Sequence, residues 1–172
     1  FSQSAGTTSY TVTDSRGCTV STSVTLTQPG QITVSSSSGS ITCFGGTANV
    51  TISASGGSPS YSGTGTFAQS AGTAAYTVTD SRGCSATTSV TITQPNALAL
   101  ALSHSNASCF GSNTGSITAS VTGGTGAYSY SLNGGPSQNG TTFSGLTAGT
   151  YSVTVTDQNG CTTSGSQVVG QP

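Results

Sequence analysis

Apolar and hydroxyl residues alternate in three similar stretches of this chain, and each stretch runs into an Asp-x-x-Gly-Cys segment. Residues 10–18 read Tyr-Thr-Val-Thr-Asp-Ser-Arg-Gly-Cys, residues 76–84 repeat them unchanged, and residues 153–161 read Val-Thr-Val-Thr-Asp-Gln-Asn-Gly-Cys. Alternation with a period of two predicts a strand, and Asp-x-x-Gly predicts a tight reversal into a second strand. Glycine suits the left-handed or bulged residue that closes such a reversal. The sequence therefore predicts a β-hairpin that occurs three times.

Other landmarks recur with the hairpin. Cys-Phe-Gly stands at 43–45 and again at 109–111, which is 66 positions later (109 minus 43). Gly-Gly-x-x-x-Tyr stands at 56–61 and 123–128, and Gln-Pro closes each segment at 28–29, 94–95 and 171–172. Fixed self-similarity is typical of repeat architectures. We therefore predict the C-terminal half of a repeat at 1–29, and complete repeats at 30–95 and 96–172.

Each complete repeat is predicted to consist of short strands only. In 30–95 we expect strands near Ile32–Ser36, Asn49–Ser55, Tyr61–Phe67, Ala75–Thr79 and Ala86–Thr93. The extra length of 96–172 falls mainly between Tyr128 and Phe143, where it adds a fuller strand and turn. The predicted inward side chains are Val50, Ile52, Tyr76, Val78, Val90, Ile92, Leu98, Leu100, Leu102, Ile117, Ala119, Val121, Tyr128, Tyr130, Leu132, Tyr151, Val153 and Val155.

The fold class expected from this pattern is all-β. Short strands at this spacing, with no helical period, favour tandem small immunoglobulin-like β-sandwiches. Proline fixes its own φ and restricts the residue before it, so the Gln-Pro joints would limit bending between repeats. We therefore expect an extended array.

Composition excludes several classes of partner. Charged residues make up only 3% of the chain, and Arg16 and Arg82 are its only basic residues apart from one histidine. Binding of nucleic acid or of an anionic membrane surface needs a basic footprint, which two arginines do not supply. The longest apolar run, Ala97 to Leu102, is the length of a strand, so we expect no membrane insertion.

Five cysteines in a lysine-free, hydroxyl-rich chain indicate an oxidising, extracellular compartment. We favour structural disulfides within each complete repeat, Cys43 with Cys84 and Cys109 with Cys161, which leaves Cys18 unpaired. Each repeat would then carry its own covalent link. The rival pattern joins Cys18 to Cys43 and Cys84 to Cys109 across the joints, and sequence alone does not fix the connectivity.

Catalytic and metal-binding residues are scarce. The only acidic side chains are Asp14, Asp80 and Asp157, one in each turn, where we expect them to cap backbone amides. Calcium is the alternative, but it needs six to eight oxygens. His104 is the only histidine, and there is no glutamate, no Cys-x-x-Cys pair and no Gly-x-Ser-x-Gly elbow. We expect a surface histidine, no cofactor, no metal and no enzymatic activity.

The landmarks together resemble a known family. Cys-Phe-Gly, Gly-Gly-x-x-x-Tyr, the run from Ala148 through Asp157-x-Asn-Gly-Cys161 and the closing Gln-Pro are similar to SprB-type repeats, which occur in tandem in large surface adhesins of gliding Bacteroidota. The resemblance covers essentially the whole chain and is greatest in 96–172. It implies type IX secretion, an extracellular position on the bacterial cell surface, and a role in attachment or gliding motility.

Two functions of different classes fit this reading. The first is the stalk or filament segment of a surface adhesin, whose partners are the neighbouring repeats. The alternative is a module that binds a surface polysaccharide or a protein through loops around Tyr61 or 128–136, because tyrosine and glycine in loops suit recognition. Since 1–29 lacks the opening strands of a repeat, a like chain in a filament could supply them by strand exchange. A segment cut from a longer protein is the simpler expectation.

Overall fold

The computed structural model describes residues 2–172; Phe1, which opens the predicted half-repeat, lies outside the described residues. The described residues contain no helix and are 56% strand, which confirms the all-β prediction. Between residues 2 and 172, no helical segment has the length and apolar character needed to cross a membrane. The strands of this part are β1 (Gly6–Thr13), β2 (Thr19–Leu26), β3 (Thr33–Ser38), β4 (Thr47–Ser55), β5 (Gly65–Ser70), β6 (Gly72–Thr79), β7 (Ser85–Ile92), β8 (Ala99–Ser105), β9 (Gly115–Thr122), β10 (Ser129–Leu132), β11 (Thr142–Leu146), β12 (Gly149–Thr156) and β13 (Thr162–Val169).

These strands form several small sheets. In the described residues the strand orders are β1-β2, β3-β4-β5, β6-β7, β11-β9-β8 and β10-β12-β13. By packing, the chain divides into two compact units. Unit 1 comprises the described part of Phe1–Ser36 with Ile52–Gly65 and Ala75–Thr88, and unit 2 comprises Ser37–Thr51, Thr66–Ala74 and Ser89–Pro172. The repeat boundaries after residues 29 and 95 stay a prediction.

Unit 1 shows one hairpin sequence in two environments. In β1 and β2, which pair in antiparallel register from Gly6↔Leu26 to Thr13↔Thr19, the apolar face is open: Val12 is 67% exposed and Val20 is 70% exposed. Val78 occupies the same place as Val12 in the second copy of the hairpin, and it is fully buried. Alternation therefore marks the face that can be buried, and the strands packed against that face decide whether it is.

Unit 2 contains a core that joins two antiparallel sheets. Its fully buried members include Ile117 of β9 and Val153 and Val155 of β12. The partly buried side chains around it include Leu100 and Leu102 of β8. The prediction of inward positions is thus confirmed for the core members Ile117, Ala119, Tyr130, Val153 and Val155. The core is completed by Phe143, Leu146 and Val169.

One predicted strand is displaced in the structure. We expected a strand at Tyr61–Phe67, but β5 begins only at Gly65. Ser60 and Gly63 adopt left-handed backbone conformations, with φ of 87° and 84°, and these interrupt an extended run. A single bridge between Ser62 and Thr79 remains. In the longer repeat the corresponding segment forms the full strand β10, as the extra residues after Tyr128 predicted.

Candidate functional site around the disulfide

The Asp-x-x-Gly-Cys turn has the same geometry in all three copies. In the copy at 157–161, the backbone N–H of Asp157 donates to the carbonyl of Cys161 at 2.9 Å, and the N–H of Gly160 donates to the carbonyl of Asp157 at 3.0 Å. Oδ1 of Asp157 accepts from the N–H groups of Asn159 and Cys161, each at 2.9 Å. Gly160 has a φ of 82°, which is the left-handed conformation predicted for this place. The turn therefore holds its cysteine in a fixed position.

The second carboxylate oxygen ties this turn to a distant loop. Oδ2 of Asp157 accepts from the N–H of Thr125 at 2.9 Å, and Oδ2 of Asp80 accepts from the N–H of Ser58 at 3.0 Å. The bond from Ser58, together with those from Cys84 and Arg82, outweighs burial and lowers the pKa of Asp80. Burial by itself would raise the pKa of Asp157, but the backbone donors around it lower the pKa overall. Both oxygens of each carboxylate thus accept N–H groups, as the prediction of turn capping requires.

The Gly-Gly-x-x-x-Tyr segment packs against the same turn. The N–H of Gly124 donates to the carbonyl of Asn96 at 2.8 Å, and the hydroxyl of Tyr128 donates to the carbonyl of Gly123 at 2.6 Å. A Cβ on Gly123 would lie 1.9 Å from the carbonyl oxygen of Ala97, so no side chain fits there. These contacts place the Gly-Gly segment beside residues 96 and 97, where the chain enters the predicted repeat 96–172.

The structure pairs the cysteines differently from both predicted patterns. Cys43 is bonded to Cys161, with an S–S distance of 1.96 Å and a Cα–Cα distance of 5.6 Å. Cys18, Cys84 and Cys109 are free and exposed. The pairs Cys43–Cys84 and Cys109–Cys161, which we favoured, are not formed, and neither are the rival pairs. Cys18 is unpaired, as the favoured pattern has it.

Strand length explains why a disulfide within one repeat fails. The N–H of Gly45 donates to Oε1 of Gln94 at 2.8 Å, so the Cys-Phe-Gly loop lies beside the end of β7. Cys84 lies just before the start of that strand, ten residues earlier, which is about 33 Å away at about 3.3 Å per residue. A disulfide needs Cα atoms within roughly 7 Å. Cys43 therefore lies at the wrong end of its repeat to reach Cys84.

The same anchor recurs in the last repeat. The N–H of Gly111 donates to Oε1 of Gln171 at 2.8 Å, which places the loop of Cys109 beside the second residue after β13. Cys161 precedes β13 by one residue. Each Cys-Phe-Gly loop thus lies beside the glutamine that closes its predicted repeat, 30–95 or 96–172.

The disulfide lines a cleft of about 440 Å³ in unit 2. Asn159, in the turn of Cys161, donates from Nδ2 to the carbonyl of Thr42 at 3.2 Å, which adds a polar contact beside the disulfide. Phe44 is 58% exposed. The cleft is lined by Cys43, Phe44, Pro95, Asn96, Ala97, Leu98, Gly124, Gly160, Cys161, Thr162 and Thr163.

The other residues singled out in the sequence have structural partners. His104 is exposed, and its Nδ1 lies 2.9 Å from Nε2 of Gln167. The hydroxyl of Tyr61 donates to the carbonyl of Gly56, as Tyr128 does to Gly123. The tyrosines of the proposed recognition loops therefore hold those loops to the Gly-Gly segments.

A family model described as SprB repeat matches residues 101–137. This segment is similar to an SprB-type repeat. The matched segment includes the Cys109 loop and the Gly-Gly segment at 123–124, and it lies in the repeat for which the resemblance is greatest. No curated protein matches the chain. An SprB repeat is typical of the repeat regions of secreted cell-surface adhesins.

Sequence reasoning missed the two glutamines that anchor the Cys-Phe-Gly loops. Gln94 and Gln171 were read only as parts of the closing Gln-Pro signals. The usable signal was that both landmarks recur in the same order in each predicted complete repeat, although 49 residues separate Gly45 from Gln94 and 60 separate Gly111 from Gln171. Nothing in the local sequence of either landmark says that they touch.

Proposed function

We propose that this chain is a load-bearing stalk segment of a secreted bacterial surface adhesin, in which successive SprB-type repeats are joined by disulfides as well as by the backbone. The single observation behind the proposal is the Cys43–Cys161 bond. Cys43 belongs to the predicted repeat 30–95 and Cys161 to the predicted repeat 96–172. A covalent link from one repeat to the next adds little to ligand binding, but it resists a pull along the chain.

The finer architecture of the proposal is a row of immunoglobulin-like sandwiches. The common core of the sheets β11-β9-β8 and β10-β12-β13 supports this for 96–172. The Gln-Pro joints support an extended array because proline restricts the backbone on both sides of each joint.

The same chemistry supports a position outside the cell, which we propose is the cell surface. Disulfides persist in oxidising, extracellular surroundings. A hydroxyl-rich surface with few charges offers trypsin-like proteases few sites, since Arg16 and Arg82 are the only basic residues that such enzymes cleave after. We propose attachment or gliding as the process served, with type IX secretion as the route, and we assign the segment no catalytic step.

The tension-bearing role predicts a specific mechanical signature. Cys43 and Cys161 are separated by 118 positions, so the disulfide keeps a stretch of roughly 400 Å of extended chain out of the load path at about 3.4 Å per residue. Single-molecule pulling from the two ends should show full extension roughly 400 Å shorter without reductant than with it. Equal extensions in both conditions would overturn the load-bearing role.

Array length provides an independent test. Concatenated copies of 30–172 should show a maximum dimension in small-angle X-ray scattering that grows in proportion to the number of repeats. A dimension that grows only as the cube root of mass would mean that the repeats collapse into a globule, and the stalk proposal would then fail.

A further inference from the structure

Unit 1 contains an open cleft whose lining corresponds at most positions to that of the disulfide cleft. The volume of this cleft is about 450 Å³, against about 440 Å³ for the cleft at the disulfide. It is lined by Gln28, Pro29, Gly30, Gln31, Ile32, Gly57, Asp80, Cys84, Ser85 and Ala86.

The corresponding residues of the two clefts occupy the same places in the repeated sequence. Pro29 corresponds to Pro95 and Ile32 to Leu98, both at an offset of 66 positions, and Cys84 corresponds to Cys161. The backbone hydrogen bond beside each cleft is also the same. The N–H of Gly57 donates to the carbonyl of Gly30 at 2.8 Å, and the N–H of Gly124 donates to the carbonyl of Asn96 at 2.8 Å. The disulfide cleft has in addition Gly160 from the turn and, from the bonded loop, Cys43 and Phe44, whereas Gln28 and Asp80 line only the Cys84 cleft. The cleft at Cys84 is therefore a formed receptor without its Cys-Phe-Gly loop.

The loop of Cys109 is the complementary half. It has the same anchor as the bonded loop, since Gly111 and Gly45 each donate to a glutamine Oε1 at 2.8 Å. Its thiol is free, and Phe110 is 84% exposed, compared with 58% for Phe44 beside the disulfide. An anchored loop that presents a free thiol and an uncovered aromatic ring is an insertion element without its receptor.

We propose that the Cys84 cleft binds the Cys-Phe-Gly loop of another SprB-type unit and forms a disulfide with it, the same bond that Cys43 and Cys161 form. In a solution of this chain the occupant is the Cys109-Phe110-Gly111 loop of a second copy. Because the two surfaces differ, the contact is head-to-tail, and it leaves one free loop and one free cleft on every dimer for further growth.

The bond-forming step needs an oxidant, which is a small disulfide such as oxidised glutathione. The thiolate of Cys109 attacks the small disulfide, which releases one small thiol and leaves a mixed disulfide on Cys109. The thiolate of Cys84 then attacks the sulfur of Cys109 and releases the second small thiol. Two protein thiols are oxidised to one disulfide, and one small disulfide is reduced to two thiols.

Arg82 gives the receptor a further donor. At the formed bond, the side-chain amide of Asn159 donates to the carbonyl of Thr42, the residue before the loop cysteine. Arg82 holds the place of Asn159 in the turn of Cys84, and Ser108 precedes Cys109. The guanidinium of Arg82 can donate to the carbonyl of Ser108 in an incoming copy.

Cys18 lacks most of such a receptor. The hollow beside it has a volume of about 270 Å³ and is lined by Val12, Asp14, Cys18, Thr19 and Val20. No Gly-Gly segment or entering strand lines this hollow, so we expect Cys18 to show no preference for the Cys109 loop.

Two capped variants test the proposal without interference from bonds within one chain. Cys18→Ser combined with Cys84→Ser leaves only the donor thiol Cys109, and Cys18→Ser combined with Cys109→Ser leaves only the receptor thiol Cys84. One variant is labelled with ¹⁵N, and the two are mixed in equal amounts with oxidised glutathione. The dimers are then counted by intact mass, after circular dichroism and the retained Cys43–Cys161 bond have shown both variants to be folded.

The proposal predicts that Cys84–Cys109 heterodimers outnumber the two homodimers together by about tenfold, a preference equal to about 1.4 kcal/mol. Collision without docking would give equal numbers of heterodimers and homodimers, and that result, or the absence of any dimer, would overturn the proposal. Linkage between copies tests the docking surface alone, so it can succeed even if the pulling experiment rejects the load-bearing role.

Replacement of the aromatic ring separates docking from thiol reactivity. Phe44 is 58% exposed and Phe110 is 84% exposed, so docking would bury about a quarter of the Phe110 side chain. For a side chain of about 200 Å² this is about 50 Å² of apolar surface, which corresponds to about tenfold in affinity. Phe110→Ala in the donor variant should slow heterodimer formation by about tenfold while leaving the rate of Cys109 with a small disulfide unchanged. Val168→Ala, at a 56% exposed position, is the matched control and should change neither rate. An unchanged heterodimer rate in Phe110→Ala would show that the ring does not dock.

Discussion

Removal of the Cys43–Cys161 bond should destabilise unit 2 measurably. The perturbation is Cys43→Ser, which replaces one sulfur by a hydroxyl of similar size. Since the bonded residues are separated by 118 positions, the chain-entropy relation gives a stabilisation of about 5 kcal/mol, and measured disulfides usually contribute about 2–4 kcal/mol. We expect a loss of free energy of unfolding in the lower range, because loop-length estimates tend to be upper bounds.

Urea unfolding followed by tyrosine fluorescence and circular dichroism measures this loss. With a denaturant slope of about 2 kcal/mol per M, the midpoint of Cys43→Ser should fall by about 1–2 M. Wild type in the presence of a reductant should fall by the same amount. Cys109→Ser removes a free thiol and is the matched control, with no expected shift. A shift in Cys84→Ser as large as that in Cys43→Ser, or no shift in Cys43→Ser, would refute the reasoning.

Three further predictions concern the core, the turn and the Gly-Gly segment. Val153→Ala should cost about 2–3 kcal/mol of unfolding free energy in urea because Val153 is fully buried, whereas Val168→Ala at a 56% exposed site should stay within about 0.5 kcal/mol. The pKa of Asp157 is lowered from 3.8, so its contribution to stability is present above that value and is lost as pH falls through the folded pKa. The melting temperature should therefore be flat above about pH 5 and drop below about pH 4. Asp157→Asn should lower the melting temperature at pH 7 and make the drop at acid pH smaller. Gly123→Ala should cost at least about 3 kcal/mol of unfolding free energy in urea, because its Cβ would lie 1.9 Å from a carbonyl oxygen. Gly134→Ala is the control: its φ is also left-handed, at 71°, but the space around it is open, so it should cost only about 1 kcal/mol. Similar costs for the two variants would contradict the steric argument.

Local patterns predicted the strands well because period-two alternation reports directly which face can be buried. Val50, Ile52, Val78, Val90 and Ile92 are all buried, as the alternation indicated. The turn was equally readable, because Asp and Gly at fixed places have one favourable hydrogen-bonded conformation. The misplaced strand at 61–67 shows the limit of the method: alternation cannot see the left-handed backbone at Ser60 and Gly63.

The disulfide could not be predicted from composition or spacing. Connectivity depends on which end of the repeat each cysteine occupies, and that depends on the contact between Gly45 and Gln94, which are 49 residues apart. Cys43 and Cys84 look like a pair in sequence because they fall within one repeat. Strand β7 separates them, and the next turn cysteine, at 161, is the one that lies within bonding distance.

The most direct test of the whole account is a disulfide map of the unreduced chain. Free thiols are alkylated first, and chymotryptic cleavage after Phe and Tyr then leaves Cys18 with Cys43 in 11–44, Cys84 with Cys109 in 77–110 and Cys161 in 152–172. Fragmentation of each linked pair of peptides shows which of the two cysteines is bonded and which is alkylated. The account predicts a mass equal to the Cys43 peptide linked to the Cys161 peptide, with Cys18, Cys84 and Cys109 alkylated in the monomer. A Cys43–Cys84 or a Cys109–Cys161 link would contradict it.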